Sequence, residues 1–281
     1  MVELTGTPGP AEALRRALGP RGRRAARYAV DAVAGPWLGS VRRVRTDLPY
    51  VAVTFDDGPD RTWTPQLLDV LAERASHATF FMLLYNARRN PGLVRRVVAE
   101  GHEVALHGAD HRSLVHLSRR AVRDRLTAAA AELAAIAGAP VTLFRPPFGA
   151  QTLRTYLGVR AAGLDCVVWD LDSLDWCGED ERQVADRVLA DAAAGTIVLA
   201  HDGRAAADEP PDSGAPDGSR AVRPPRMAEL LLGGLERRGL RTTTVSDLLT
   251  TGKPHRTVWL SHYVPPEHPR WRRDGTTDEE R

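Results

Sequence analysis

Five short stretches of this chain concentrate the residue types that do chemistry. The first, Thr54-Phe55-Asp56-Asp57-Gly58-Pro59, sets two carboxylates side by side ahead of a Gly-Pro turn. Adjacent carboxylates repel unless a cation or a proton relieves them. The second, His107-Gly108-Ala109-Asp110-His111, spaces two imidazoles four residues apart. On a helical turn that spacing puts both rings on one face, within reach of one metal ion. Two His, one carboxylate from another segment and an open position for water describe a catalytic Zn²⁺ or similar divalent site. The third, Arg145-Pro146-Pro147-Phe148-Gly149, holds an arginine in a loop stiffened by prolines, where it can pair bidentately with a carboxylate. Asp172-Ser173-Leu174-Asp175-Trp176 and Leu199-Ala200-His201-Asp202-Gly203 add acids and a histidine. Each stretch alone also has a bland reading, since Asp is a common turn residue and His pairs at this spacing occur by chance.

The elements that must position these groups have a regular rhythm. Short β-branched or aromatic runs at Val51–Phe55, Thr79–Leu83, Glu103–Leu106, Thr142–Phe144, Cys166–Trp169, Thr196–Ala200 and Arg241–Val245 read as strands. Helical patterns fill the gaps. Thr64 with Pro65 opens one, Asn90-Pro91 a second, and Ser118 caps a third with Val122, Leu126, Leu133 and Ile136 at helical spacing. Further helices fall near 151–162, 180–193 and 225–238. Seven strands alternating with helices predict an α/β protein, a parallel and closed β/α barrel, with an open doubly wound sheet as the second choice. Every chemically interesting stretch then follows a strand, at the end where such barrels build active sites. Five chance placements there are far less economical than one site.

Composition narrows the partners. Lys+Arg 38 against Asp+Glu 36 gives +2, with Lys253 the only lysine. That balance advertises neither nucleic acid nor an anionic membrane surface. Cys166 and Cys177 imply no disulfide framework. No apolar run is long enough to span a bilayer. The Arg-rich stretch from Arg15 to Arg27 leads into an apolar run broken by Asp31, Gly35 and Pro36, which predicts a basic amphipathic helix rather than an export signal, hence a cytoplasmic protein before a secreted or surface-associated one. The organisation read from this is a basic helical extension over 1–47, a catalytic domain over 48–251 interrupted by a mobile loop at 204–225, and an irregular tail over 252–281.

In order and content these motifs resemble the polysaccharide deacetylases, the NodB-homology domain of carbohydrate esterase family 4. That family shows TFDDGP, H-[S/T]-x-x-H, R-x-P-[Y/F], D-x-x-D-W and L-x-H in this sequence, and all five have counterparts across roughly 48–250. The resemblance implies a distorted (β/α)7 barrel and a metal-dependent hydrolase that removes an N-acetyl group from an N-acetylated sugar. It implies Asp56 as catalytic base, held by Arg145. It implies Asp57, His107 and His111 as ligands of one divalent ion, Zn²⁺ first, with Co²⁺, Ni²⁺ or Mn²⁺ as alternatives. His201 matches the general acid and Asp175 the carboxylate that orients it. Trp176 and Leu199 match the walls of the acetyl pocket, and Phe148 the position whose backbone N–H faces the oxyanion. Gly108 departs from the pattern: it stands where the family carries Ser or Thr, so the resemblance implies a metal loop lacking a supporting hydroxyl. An O-acetyl esterase and a non-catalytic carbohydrate-binding barrel are the competing readings.

Overall fold

The computed structural model describes residues 20–203 and 222–260. Helix α1 (Pro20–Leu38) leads into strand β1 (Ser40–Arg45). The repeating part follows: β2 (Tyr50–Asp56), α2 (Trp63–Glu73), β3 (Thr79–Leu83), α3 (Leu84–Arg89), α4 (Pro91–Ala99), β4 (Glu103–Gly108), α5 (Arg119–Ala137), β5 (Leu143–Phe144), α6 (Leu153–Ala161), β6 (Asp165–Cys166), β7 (Leu171–Asp172), α7 (Glu181–Asp191), β8 (Ile197–His201) and α8 (Pro224–Arg237). The chain then runs through β9 (Arg241–Thr242), α9 (Val245–Thr250) and β10 (Lys253–Thr257). No helix among the described residues is long and apolar enough to cross a membrane.

Seven parallel strands form one curled sheet in the order β6-β5-β4-β3-β2-β8-β7, and β9 pairs with β2 beside it. This is the distorted (β/α)7 barrel that the sequence predicts. Parallel strands covered by helices bury both faces, and strand β2 illustrates how the faces divide. Val51, Val53 and Phe55 pack with Leu67, Leu68 and Leu71 of α2. Ala52, Thr54 and Asp56 therefore take the other face, which lines the barrel interior. Strand β8 does the same: Val198 and Ala200 join the helix-facing core, leaving Ile197, Leu199 and His201 inward.

Several expectations need correction. No helix separates β6 from β7, and those two edges are not paired to each other. The seam is filled instead by β1, which bridges Val41 to Val167 and Arg43 to Thr196. β1 in turn pairs antiparallel with β10, from Ser40 opposite Thr257 to Arg45 opposite Lys253. Val41 and Val44 are fully buried in the core. The packed unit is thus wider at both ends than 48–251, and part of the predicted tail is a strand. Val245, read as the end of a strand, opens α9, because the Thr244 hydroxyl caps that helix and accepts from Asp247 N. Of the predicted 204–225 loop, residues 204–221 lie outside the described residues, while Pro224 and Pro225 form the first turn of α8.

Candidate active site

Asp56 is the last residue of β2 and is 2% exposed. Its Oδ1 accepts from Nη1 of Arg145 at 2.7 Å. Arg145, fully buried, also donates to Thr54 Oγ1 at 2.7 Å, and its guanidinium lies 4.0 Å from the Phe81 ring centroid. Its Nη2 donates to the Val168 carbonyl at 3.3 Å, so both terminal nitrogens and one π-face of this buried cation are engaged. Burial is the larger influence on Asp56. It pushes the carboxyl up to about 6, against the lowering effects of Arg145 and His201.

Asp57 carries a left-handed backbone, φ 76°, and its Oδ1 and the Oδ2 of Asp56 both approach His107 Nε2, at 3.5 and 3.8 Å. The close approach of three segments holds this turn. The Gly58 backbone abuts the carboxylate of Asp202, where an added Cβ would lie 2.4 Å from either oxygen. Gly203 abuts the Asp57 carbonyl, with a would-be Cβ at 2.6 Å. Asn86 Nδ2 donates to that same carbonyl at 2.7 Å. Asp202 is itself fully buried and accepts from Thr64 Oγ1 at 2.5 Å. Thr64, expected to open the helix, lies in the first turn of α2, which begins at Trp63. Ahead of the N-cap Thr62, Asp60 Oδ1 accepts from Thr62 N and Trp63 N.

The two histidines reach Asp57 by a route that the sequence did not indicate. His107 is in β4 rather than on a helix, and His111 follows in an irregular turn. The register against β3 slips at this point: Met82 faces Leu106, yet Leu83 faces Gly108. His107 is thus the extra residue of a β-bulge, a device that re-aims a side chain. Gly108 follows with φ 135°, a conformation open to glycine and strained for other residues. A Cβ there would lie 2.7 Å from the Asp110 carbonyl oxygen. The glycine that looked like a missing hydroxyl is the hinge of this turn.

The outcome is a compact triad. His107 Nε2 and His111 Nε2 lie 3.5 and 3.6 Å from Asp57 Oδ1. Ligand atoms of all three residues fall within 4.8 Å of one another. His107 Nδ1 lies 2.9 Å from the Arg145 carbonyl oxygen, so Nδ1 carries the proton and Nε2 presents a lone pair. Burial holds this imidazole well below its usual pKa, with His111 and Arg145 adding to the effect, and keeps it neutral. Asp57 Oδ1 is buried with no hydrogen-bond partner among the described residues. An orphaned carboxylate oxygen facing two imidazole nitrogens is a donor set that fits a divalent cation.

His201 ends β8, next to Asp56 of β2 in the sheet register. Its Nδ1 lies 2.7 Å from Asp175 Oδ1, and its backbone N–H donates to Asp175 Oδ2 at 2.9 Å. Burial lowers the His201 pKa, but the charge and hydrogen bond of Asp175, helped by Asp57 and Asp56, overcome that and raise it to about 9. Leu199 is inward and 4% exposed. The Phe148 ring lies 4.1 Å from that of His111, on a loop where Phe148 itself has φ 59°. Trp176 is 42% exposed beside Asp175. The predicted residues Asp56, Asp57, His107, His111, Arg145, Asp175 and His201 thus form one cluster at the strand ends. Sequence reasoning missed Thr54, Thr64, Asn86 and Asp202 as supporting groups. The only signal for Asp202 was its place beside His201.

Such a cluster, a metal triad flanked by a buried carboxylate and a carboxylate-held imidazole at the mouth of an α/β barrel, defines a class of hydrolytic site. The comparisons agree with it. The polysaccharide deacetylase family model matches residues 43–167. A chitooligosaccharide deacetylase of Sinorhizobium fredii is 42% identical over 168 residues, 59% of this chain and 78% of that protein. A peptidoglycan-N-acetylglucosamine deacetylase of Bacillus cereus is 34% identical over 201 residues, 71% of this chain and 87% of that one. Among solved structures, the peptidoglycan deacetylase PdaC of Bacillus subtilis aligns with a TM-score of 0.62 at 29% identity, over 74% of this chain and 93% of that one. This chain belongs to the polysaccharide deacetylase family.

Proposed function

We infer that this protein is a metal-dependent hydrolase that cleaves the N-acetyl amide of an N-acetylated sugar in an oligosaccharide, polysaccharide or glycoside. The observation that carries the reading is the pair of proton-handling groups beside one triad: Asp56 held by Arg145, and His201 held by Asp175. The names of the relatives support the amide and the sugar.

Asp57, His107 and His111 would hold the ion. A divalent ion there supplies Lewis acidity and lowers the pKa of water toward ~7. Zn²⁺ suits a two-His, one-Asp set, as do Co²⁺, Ni²⁺ and Mn²⁺. Asp56 takes the proton of the attacking water, and Arg145 keeps its carboxylate aimed into the mouth. The Phe148 backbone N–H faces the developing oxyanion, a contribution worth roughly 3–4 kcal/mol where such donors are preorganised. The leaving amine needs a proton. With Nδ1 of His201 committed to Asp175, Nε2 delivers it. Leu199 and Trp176 wall the acetyl group.

The test is acetate release from N-acetylglucosamine oligomers by metal-loaded and chelator-stripped protein, with metal content measured on each. Release that follows metal content supports the reading. Release from acetylated xylan with none from the amide would make the protein an esterase instead, and no release from either would leave a binding barrel.

A further inference from the structure

Helix α1 has two faces of opposite kind. One is tied to the barrel. The Asp31 carboxylate accepts from Thr257 Oγ1 at 2.9 Å and from Val258 N at 2.8 Å. One turn further on, Gly35 lies against the Arg256 carbonyl, where an added Cβ would be 2.7 Å from the oxygen. The Tyr156 hydroxyl of α6 donates to the Trp37 carbonyl at 3.3 Å. These contacts fix how the helix is rolled on the domain. Gln151, three residues after Phe148, donates from Nε2 to Ser40 Oγ at 3.0 Å. The Trp37 end of α1 therefore lies toward the catalytic end of the barrel.

The face turned away is apolar and uncovered. Val30 is 50% exposed, Val33 78% and Trp37 81%. They stand at i, i+3 and i+7, which makes one stripe along the helix. Scattered surface apolar residues are ordinary. A stripe that ends in a bare tryptophan, while the other side of the same helix is packed, marks a surface that meets something. Leu153, one turn before Tyr156 on α6, is exposed as well.

Charge indicates what it meets. The near-neutral total hides a local excess: the first half of α1 carries Arg21, Arg23, Arg24 and Arg27. Asp31 is the one acid in the helix, and it is bonded to the barrel. Arg23 and Arg27 precede Val30 by seven and three positions, the spacing of one helix side. A basic segment that runs into an apolar stripe closed by tryptophan is the pattern of a helix lying in the interface of an anionic bilayer. Arginines there meet lipid phosphates, and an indole sits at headgroup level. A second copy of this chain suits the stripe less, because pairing it with itself brings two arginine clusters to one interface. A nucleic acid would use the arginines and leave the stripe bare. No helix among the described residues can span a bilayer, so this one lies on it.

We propose that α1 docks this protein on an anionic lipid surface, with Val30, Val33 and Trp37 set into the interface.

The experiment sediments the full chain with vesicles of phosphatidylcholine alone and of phosphatidylcholine mixed with phosphatidylglycerol. It also follows quenching of tryptophan emission by brominated acyl chains in the same vesicles. Wild type should bind the anionic vesicles far better than the neutral ones, and less well as salt rises. Arg23→Gln combined with Arg27→Gln should lower the partition coefficient at least about tenfold. Val33→Ser combined with Trp37→Ser should lower it by about as much. Trp37→Phe keeps an apolar ring, so it should bind nearly as wild type yet lose most of the quenching. Thermal melts without lipid show that each variant is folded. Equal binding to neutral and anionic vesicles, no binding to either, or binding untouched by the Val33 and Trp37 serines would overturn the proposal. Quenching that persists in Trp37→Phe would place another segment in the lipid and overturn it too. So would sedimentation velocity showing a wild-type dimer that Trp37→Ser dissociates, because the stripe would then join two copies. None of these readouts uses activity, so they decide the docking whether or not the deacetylase reading holds.

Discussion

Asp175 grips His201 twice, through the ring at 2.7 Å and through the backbone N–H at 2.9 Å, using one carboxylate oxygen for each. This fixes both the position and the charge of the imidazole. The histidine is the last residue of β8, whereas Asp175 comes from the loop after β7, so the bond also ties two strand ends together.

The first prediction concerns pH. His201 is raised from 6.5 to about 9, with Asp175 as the main raising influence against burial. A general acid must be protonated, so the alkaline limb of activity should report this group. Asp175→Asn removes the charge with little change of shape. The alkaline limb should move to lower pH while metal content stays constant. A pH–rate profile with metal analysis on both proteins checks this, and an unmoved limb would argue against His201 as the acid. The sign for stability follows from the same shift. The folded pKa lies above the unfolded value, so the pair's contribution is complete below about pH 6.5 and declines as pH rises through about 9. Thermal melts across that window should show the decline in wild type and less of it in Asp175→Asn.

Gly108 gives the second. With φ 135° and a would-be Cβ 2.7 Å from the Asp110 carbonyl oxygen, any side chain at this position strains the turn between the two histidines. Strain of this kind costs about 1–3 kcal/mol. Gly108→Ser should therefore weaken zinc binding or lower the melting temperature. Adding a hydroxyl at this position should not tighten the site. Zinc competition titration decides, and tighter binding in the variant would show that the turn relaxes to accept a Cβ.

Arg145 gives the third. Its guanidinium is fully buried between Asp56, Thr54 and the Phe81 ring. Arg145→Met leaves Asp56 buried and unpaired, and breaking a buried pair in this way costs about 3–5 kcal/mol. Arg145→Lys supplies a charge but not the planar fork, and should recover only part of the loss. Urea unfolding of the three proteins measures the order, and a lysine variant equal to wild type would count against the geometry.

Thr64 gives the fourth. Its hydroxyl donates to the buried Asp202, whose carboxylate presses on Gly58 in the turn that carries Asp57. Thr64→Val keeps the volume and removes the donor, leaving a buried carboxylate short of a bond. A loss of about 1–3 kcal/mol is expected, together with weaker metal binding as the Asp57 turn loosens. Parallel denaturation and metal titration separate the two effects. Stability and affinity both equal to wild type would make the contact incidental.

Much of this was legible in the sequence because its signals are local. Hydrophobic runs bounded by Gly, Pro and Asp placed Thr79–Leu83 at the residues observed and β2 within one residue at each end. The rule that barrel sites lie at strand C-termini then gathered Asp56, His107, Arg145, Asp175 and His201 into one site without coordinates. β6 was placed at Cys166–Trp169 rather than Asp165–Cys166, and β7 at Leu171–Asp172 was missed, since two-residue ladders leave no periodicity to detect. β1 and β10 were missed for a different reason. SVRRVR and KPHRT carry little apolar pattern, and they become strands only by pairing across a sequence separation of about 200 residues and closing the seam of the barrel.

What the sequence determined by itself was the inventory and its order: which acids, imidazoles and cation follow which strands. Strand periodicity and turn chemistry act over a few residues, so a linear reading suffices for them. What only the tertiary structure decided was how those groups meet. The histidine pair looked helical and is instead a register slip in β4 followed by a glycine turn, because its partner is Asp57 in the turn after β2 rather than a helical neighbour. Thr64 was read only as a helix opener and serves Asp202, and Trp259, within the predicted tail, donates to the Gly149 carbonyl. Each of these contacts joins segments remote in sequence, and only packing of the whole barrel sets the distance between them.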